Sequence, residues 1–370
     1  MSRRGENIYK RKDGRWEGRY IKARNEHGKI TYGYVYGKKY TIVKNRLAEL
    51  RVQYIGNYSN LTLYDGTVEQ WMSYWLAKFM NGKIKISTYS TYKTRMEKYI
   101  FPVLGSKKLI NLTSTHIQEF IFQLENLGLS SRSINVICLV LKSALNQAVK
   151  ESYIVKNPCE DITIKKKEYT NINALSIEQQ RRIEKRALFE TECSAAIIAL
   201  YTGMRIGEIS GLRWEDIDFE RNLLCVRRTL TRISSLDERG KTQIIMSSPK
   251  TKTSERSIPL ATNLRKYLLK KKKLSISDYV ISCKDGFAEP RVINYRFKKL
   301  LEEEGLDNIK FHSLRHTFAT RCIEKGADIA TVSKLLGHSS TKMTLDIYAD
   351  SLWESRTQVI SNLDKMLEGG

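Results

Sequence analysis

Six side chains of the C-terminal half, Arg205, Lys250, His312, Arg315, His338 and Tyr348, are of the types that phosphoryl transfer needs, and each sits in a short distinctive motif. Arg205 lies in Thr202-Gly-Met-Arg-Ile-Gly-Glu208, after a glycine break and near a helix start, where backbone N–H groups also face an anion. Lys250 opens Pro249-Lys-Thr-Lys-Thr-Ser-Glu-Arg-Ser-Ile-Pro-Leu260, which reads as a hairpin with Lys250 or Lys252 close to its tip. His312-Ser-Leu-Arg-His316 and Leu335-Leu-Gly-His338 follow, and Tyr348 comes ten residues after His338, in Leu345-Asp-Ile-Tyr-Ala349.

Together these groups form an electropositive cup beside one phenol. Arginine forks bind phosphate oxygens in bidentate fashion. A phosphodiester attacked by an oxygen gains charge in its pentavalent state, and fixed cations aimed at the non-bridging oxygens lower that barrier. The phenol serves as nucleophile and becomes a phosphotyrosine. The leaving 5′-oxygen takes a proton from a lysine at a mobile turn. No acidic cluster for Mg²⁺ is apparent, and no cofactor is expected. His316 follows His312 at the spacing of a metal pair, but the stretch lacks the glutamate of the zinc-protease helix motif, so His316 is read as a packed supporting residue.

The elements that must position these groups fall into three units, giving a multidomain chain that is mainly α with small β-sheets. Residues 1–62 read as a three-stranded sheet plus helix, with turns at Asp13-Gly14 and His27-Gly28. Arg15, Glu17 and Arg19 alternate with Trp16, Gly18 and Tyr20, and Tyr32, Tyr34 and Tyr36 alternate likewise. With fifteen Lys and Arg against five acids in the first sixty residues, the reading is a sheet whose charged face, Arg15, Arg19 and Lys22 included, enters a DNA groove. The competing reading is a solvated sheet packed on one helix.

Residues 66–163 read as all-helical. A capping box at Thr67–Gln70 opens an apolar stripe through Trp71 and Trp75, and a second helix runs from Ser87 to Ile100, ending before Pro102. Lys93 would lie on an outer face as a phosphate contact or a solvated charge. A basic linker follows, in which Lys165, Lys166 and Lys167 suit a crossing of the DNA backbone. Residues 174–370 read as a mixed α+β unit, opened by a capping box at Ser176–Gln179 and with strand character from Asn222 to Leu260. The stretch from Thr231 to Ser247 reads as an added β-hairpin. The tail after Ser351 reads as a helix.

Composition agrees with a nucleic-acid partner. Lys and Arg total 64 against 40 acids, a formal net charge of +24, which points to a polyanion. Six scattered cysteines form no C-x-x-C pair and read as small buried hydrophobes. No stretch approaches the roughly 18 apolar residues of a membrane helix, and the N-terminus lacks the apolar core of a secretory signal. The expectation is a cytoplasmic, nucleoid-associated bacterial protein.

The ordered set Arg205, Lys250, His312-x-x-Arg315, His338 and Tyr348, in the motifs TGMRIGE, PKT, HSLRHTFAT, LLGHSS and LDIYA, resembles the signature of the tyrosine recombinases, the family that includes phage lambda integrase. Residues 66–163, with Tyr99-Ile-Phe-Pro-Val-Leu-Gly105, are similar to the family's helical core-binding domain. Residues 1–62 resemble the arm-binding domains of integrases from conjugative transposons and temperate phages. The resemblance implies that Arg205 and Arg315 clamp the scissile phosphate, His338 hydrogen-bonds it, His312 assists proton transfer with Tyr348, and Lys250 protonates the leaving 5′-hydroxyl. Lys252 is the alternative acid, and Glu208 fills a supporting position. It further implies double-stranded DNA with core and arm sites, a tetramer on two duplexes joined by exchanged C-terminal tails, and an excisionase or host DNA-bending protein as accessory partner. Metal and nucleotide are not needed. A type IB topoisomerase, which shares the phosphotyrosine chemistry but reseals the same strand, is the rival function. The charge argument predicts that DNA affinity falls steeply as salt rises from low to physiological concentration, because phosphate contacts release counterions. Binding titrations across that range check it, and a flat response would remove the argument.

Overall fold

The computed structural model describes residues 7–24, 30–55, 64–160, 162, 164, 174–236, 240–247, 255–283, 286–306, 308–338, 340–341, 344–345 and 360. The chain is mostly helical with small antiparallel sheets and divides into two compact units, Met1–Lys167 and Glu168–Gly370.

The first unit begins with an antiparallel sheet in the order β1 (Ile8–Lys10), β2 (Trp16–Arg24), β3 (Ile30–Gly37), followed by α1 (Tyr40–Ile55). Alternation decides its two faces. Ile8 packs with Val43 and Leu47 of α1, flanked by Trp16, Tyr20 and Val35. The other face pairs Glu17 with Tyr36 and Arg19 with Tyr34 across β2 and β3. A register shift between Ile21 and Ala23 leaves Lys22 as the extra residue of a bulge. The expected turn at His27-Gly28 lies outside the described residues.

The helical part of this unit follows as α2 (Val68–Trp75), α3 (Ile86–Arg95), α4 (Phe101–Leu104), α5 (Ser114–Asn126) and α6 (Ser131–Lys150). The Thr67 hydroxyl accepts the Gln70 N–H while the Gln70 side chain accepts the Thr67 N–H, which satisfies two otherwise unpaired donors of α2. Trp71, Trp75, Phe120, Ile137 and Leu141 are fully buried in one core, and the Trp71 indole donates to the carbonyl of Ala144 at 3.0 Å. One expectation fails. Helical backbone does not stop at Ile100 but continues through a π-turn at Met96–Ile100 into α4 and on to Leu104. The Phe101 N–H reaches back to the Met96 carbonyl, so Pro102 falls in the first turn of a new segment, where a missing N–H costs little.

The second unit contains α7 (Ile177–Phe189), α8 (Ser194–Thr202) and α9 (Ile206–Ser210), then β4 (Ile217–Asp218), β5 (Leu223–Val226), β6 (Thr229–Ser234), β7 (Thr242–Ser247) and β8 (Arg256–Pro259). It continues through α10 (Thr262–Lys273), β9 (Ser282–Cys283), β10 (Gly286–Phe287), α11 (Pro290–Glu303), α12 (Phe311–Glu324) and α13 (Ile329–Leu336). Helix α8 is apolar almost all round, the pattern of a helix enclosed on every side, and it is buried from Ser194 to Leu200. It packs on α12. All six cysteines carry free thiols.

The lysine stretch of Pro249–Leu260, read as a hairpin tip, lies outside the described residues, and β7 and β8 stand on either side of it. Strand β8 pairs with β5, and β7 pairs with β6, so the two strands that flank Lys250 and Lys252 belong to different ladders. Next to the β6–β7 pair the Ser235 N–H donates to the Lys241 carbonyl. The added hairpin expected near Thr231–Ser247 is the β6–β7 pair.

Removing the Trp71 side chain deletes both a large core volume and a buried hydrogen bond. Trp71→Ala is expected to lower the stability of the first unit by about 3–5 kcal/mol, read as an earlier urea midpoint in far-UV circular dichroism.

Candidate active site

Two helix ends build the site. Helix α8 stops because Gly203 takes a left-handed conformation (φ +63°), and α13 stops at Gly337 in the same way (φ +65°). A side chain on Gly203 would collide with Phe318 and Leu336, so the close approach of the two ends needs glycine there. Each end leaves carbonyl oxygens without helical partners, and these are acceptors for cations.

Arginines take them up. Arg315, on α12 and 3% exposed, donates to the carbonyl of Gly203 at 2.7 Å and to that of Leu336 at 2.8 Å. Arg205, the residue just before α9, donates to the carbonyl of Gly337 at 3.4 Å. Arg256, on β8, donates through Nε to the carbonyl of Leu335 at 2.6 Å. Three guanidinium groups therefore meet three successive carbonyls of one helix terminus.

Glu208 balances this charge. The carboxylate, 3% exposed, accepts from the Arg205 guanidinium at 2.8 Å and from its backbone N–H at 2.9 Å, and from Arg256 at 3.0 Å. Burial alone would raise its pKa, but Arg256 and Arg205 hold it below the ordinary carboxylate range, so it is ionised. The Arg205 side chain remains 37% exposed, and its guanidinium is thus both fixed and accessible.

The histidines lie in this cationic field. His312 and His316, one turn apart on α12, meet edge to face with ring centroids 4.8 Å apart. His312 is exposed and His316 buried. His338 follows the α13 terminus, and its Nδ1 lies 2.8 Å from the hydroxyl of the fully buried Thr344. Lost hydration, then Arg315 and Arg205, lower the His312 pKa. Burial, His312 and Arg315 bring His316 to about 4, and burial with Arg315, Arg205 and Arg256 brings His338 to about 4. Both are neutral at physiological pH. If the Thr344 hydroxyl donates to Nδ1 of His338, Nε2 carries the proton and is a hydrogen-bond donor toward an anion.

Of the sequence-derived site residues, Arg205, Glu208, His312, Arg315, His316 and His338 come together in the second unit. Lys250, Lys252 and Tyr348 lie outside the described residues, as do Lys165, Lys166 and Lys167. Sequence reasoning passed over Arg256 and Thr344. The signal for Arg256 was available: it alternates with Ile258 and Leu260, both buried, which places a charge on the inward face of a strand. In the N-terminal sheet, Arg15 is held by Asp13 at 2.9 Å, and the Arg19 guanidinium lies 3.5 Å from the Tyr32 ring centroid. Lys93 is half-buried on α3. Among the described residues no group of three His, Cys, Asp or Glu could hold a metal ion, and no helix is long and apolar enough to cross a membrane.

The histidine shifts give a pH signature. A histidine whose folded pKa is depressed binds fewer protons folded than unfolded, so stability is complete above the unfolded value near 6.5 and is lost as pH falls toward about 4. His316→Gln is expected to flatten that loss by up to about 3 kcal/mol. Urea midpoints of both proteins between pH 7 and pH 4 check it, and parallel curves would refute it.

The model of the phage integrase family matches residues 163–354, and that of the phage integrase N-terminal SAM-like domain matches residues 67–124. The tyrosine recombinase XerC-like protein of Caldanaerobacter subterraneus subsp. tengcongensis is 31% identical over 93% of this chain and 94% of its own. The ICEBs1 integrase of Bacillus subtilis is 26% identical over 76% of this chain and 79% of its own. Among solved structures, the Tn1549 transposon integrase in complex with a circular intermediate DNA superposes with a TM-score of 0.68 at 22% identity, covering 80% of this chain and 99% of that one, a likeness of fold. A family model over more than half of the chain, a relative alike along nearly its whole length and a cluster of fixed arginines agree: the chain belongs to the phage integrase family, the tyrosine recombinases, enzymes that cut and rejoin DNA.

Proposed function

We propose that this recombinase is the integrase of a mobile genetic element and that it exchanges strands through a 3′-phosphotyrosine on Tyr348. The observation that carries the reading is the convergence of Arg205 and Arg315 on the α13 terminus, with His338 next in the chain. In this mechanism the two guanidinium groups and His338 hold the non-bridging oxygens of the scissile phosphate. Their interactions strengthen as charge builds up in the pentavalent state, which is what lowers the barrier. The Tyr348 oxygen bonds to phosphorus as the bond to the 5′-oxygen breaks. The phenolic proton passes toward His312, and Lys250, or Lys252 in its place, supplies a proton to the leaving oxygen. Attack by the 5′-hydroxyl of a partner strand reverses the sequence, and the conserved bond energy removes the need for a nucleotide.

The relatives' names support strand exchange over the topoisomerase reading, since they are recombinases and integrases. For the rest of the chain we propose three domains: 1–62 on arm-type DNA sites, 66–163 on core sites and 174–370 as the catalytic domain. Arg15, Arg19 and Lys22 would supply arm contacts, and Lys93 with Lys165, Lys166 and Lys167 would supply backbone contacts. Four protomers linked by their tails would hold two duplexes, in the bacterial cytoplasm at the nucleoid, with an excisionase or DNA-bending protein setting direction.

The test is a nicked suicide substrate that traps the covalent intermediate on a denaturing gel. Tyr348→Phe should bind DNA but form no adduct, and an adduct persisting in that variant would overturn the nucleophile. Arg205→Ala should slow adduct formation by roughly 10²- to 10³-fold, while Arg256 still balances Glu208 and keeps the fold.

A further inference from the structure

Arg256 lies within the Pro249–Leu260 stretch but has no role in the mechanism above, yet it is one of the three arginines fixed at the α13 terminus. Its side chain is 6% exposed. It reaches in two directions: through Nε to the Leu335 carbonyl at 2.6 Å and through a terminal nitrogen to Glu208 at 3.0 Å. Glu208 in turn grips Arg205 by guanidinium and backbone. The Leu335 carbonyl precedes those that Arg315 and Arg205 use, two residues before Gly337 and three before His338. Gly337 makes room for the arrangement, since a Cβ there would lie 3.0 Å from the Arg256 side chain.

From this geometry we infer that Arg256 is a positioning residue for DNA cleavage: it locks Glu208, and through it Arg205, to the turn that carries His338, so that the phosphate cradle exists before DNA arrives. The inference rests on the assignment of Arg205 and His338 to the scissile phosphate. Arg256 acts through Glu208 and the Leu335 carbonyl, the groups it holds. Without it, Glu208 keeps Arg205 as a partner, but the pair is tied to the turn before His338 only by the long 3.4 Å contact of Arg205 with the Gly337 carbonyl. Preorganised charge is effective in proportion to how little it must move during reaction. A buried arginine that spans two acceptors is also not replaced by lysine, whose single ammonium lacks the planar fork.

The experiment compares full-length wild type, Arg256→Lys and Arg256→Gln on the nicked suicide substrate at saturating DNA, with affinity measured separately. A second substrate carries sulfur at the 5′-bridging position, a leaving group that needs no proton. For Arg256→Gln the expected result is a single-turnover cleavage rate lower by roughly 10- to 100-fold, the cost of a slightly misplaced site. Affinity should change by less than about threefold, because a loss confined to the reaction step leaves ground-state binding intact. The sulfur substrate should not restore the rate, and Arg256→Lys should fall between. Thermal unfolding of each variant identifies the folded fraction, and rates are taken per folded molecule. Wild-type rates in Arg256→Gln, a loss of binding equal to the loss of rate, or full rescue by the sulfur substrate would each overturn the inference. Wild-type protein that forms no adduct at all would instead overturn the function proposed for the site.

Discussion

The second unit is organised around the C-terminal end of one short helix, α13. Three arginines from three separate elements, Arg205 before α9, Arg256 on β8 and Arg315 on α12, donate to the carbonyls of Gly337, Leu335 and Leu336. Like charges gathered a few ångströms apart repel by about 4 kcal/mol per pair at an effective dielectric of 20. A helix C-terminus returns at most about 2 kcal/mol to a nearby cation. The carbonyls alone therefore do not hold the cluster, and the buried carboxylate of Glu208, shared between Arg205 and Arg256, completes the balance. What remains is a net positive cradle, neutral enough to fold and charged enough to receive a phosphate.

The same field governs the histidines. Burial and the neighbouring cations leave His316 and His338 uncharged near neutrality. They can then act as oriented hydrogen-bonding groups, and the phosphate meets fixed guanidinium charge with a neutral donor at its side. The hydroxyl of Thr344 meets Nδ1 of His338 at 2.8 Å and holds the ring from the side of its second nitrogen. Electrostatics and fold are thus one arrangement: the groups that stabilise developing charge are the ones that terminate and join the helices.

Much of this was legible in the residues. The capping boxes at Thr67 and Ser176 and the apolar stripes of α2, α5 and α6 announce helices through periodicity, because a helix must bury one face. The glycine break read before Arg205 is a left-handed helix end at Gly203. Arg205, His312, Arg315 and His338 stood out because polar groups in those motifs have no packing role. What did not show was long-range. Pro102 looked like a stop because a π-turn cannot be read from local composition. Strand β8 finds its partner β5 some thirty residues earlier in the chain, a pairing that local pattern does not show. Arg256 was overlooked because the partners that make it informative, Glu208 and Leu335, are distant in sequence.

The empty space at Gly337 has a consequence for heredity. The seat of the Arg256 guanidinium is made by the side chain that residue 337 lacks. Two positions about eighty residues apart in the chain therefore behave as a single mutable unit. A side chain at 337 would strain the left-handed helix end (φ +65°) and also press on Arg256 of β8, so glycine is demanded there twice over. Diversifying this enzyme toward new DNA targets should leave that pair intact, while the surfaces that meet the bases vary freely around it.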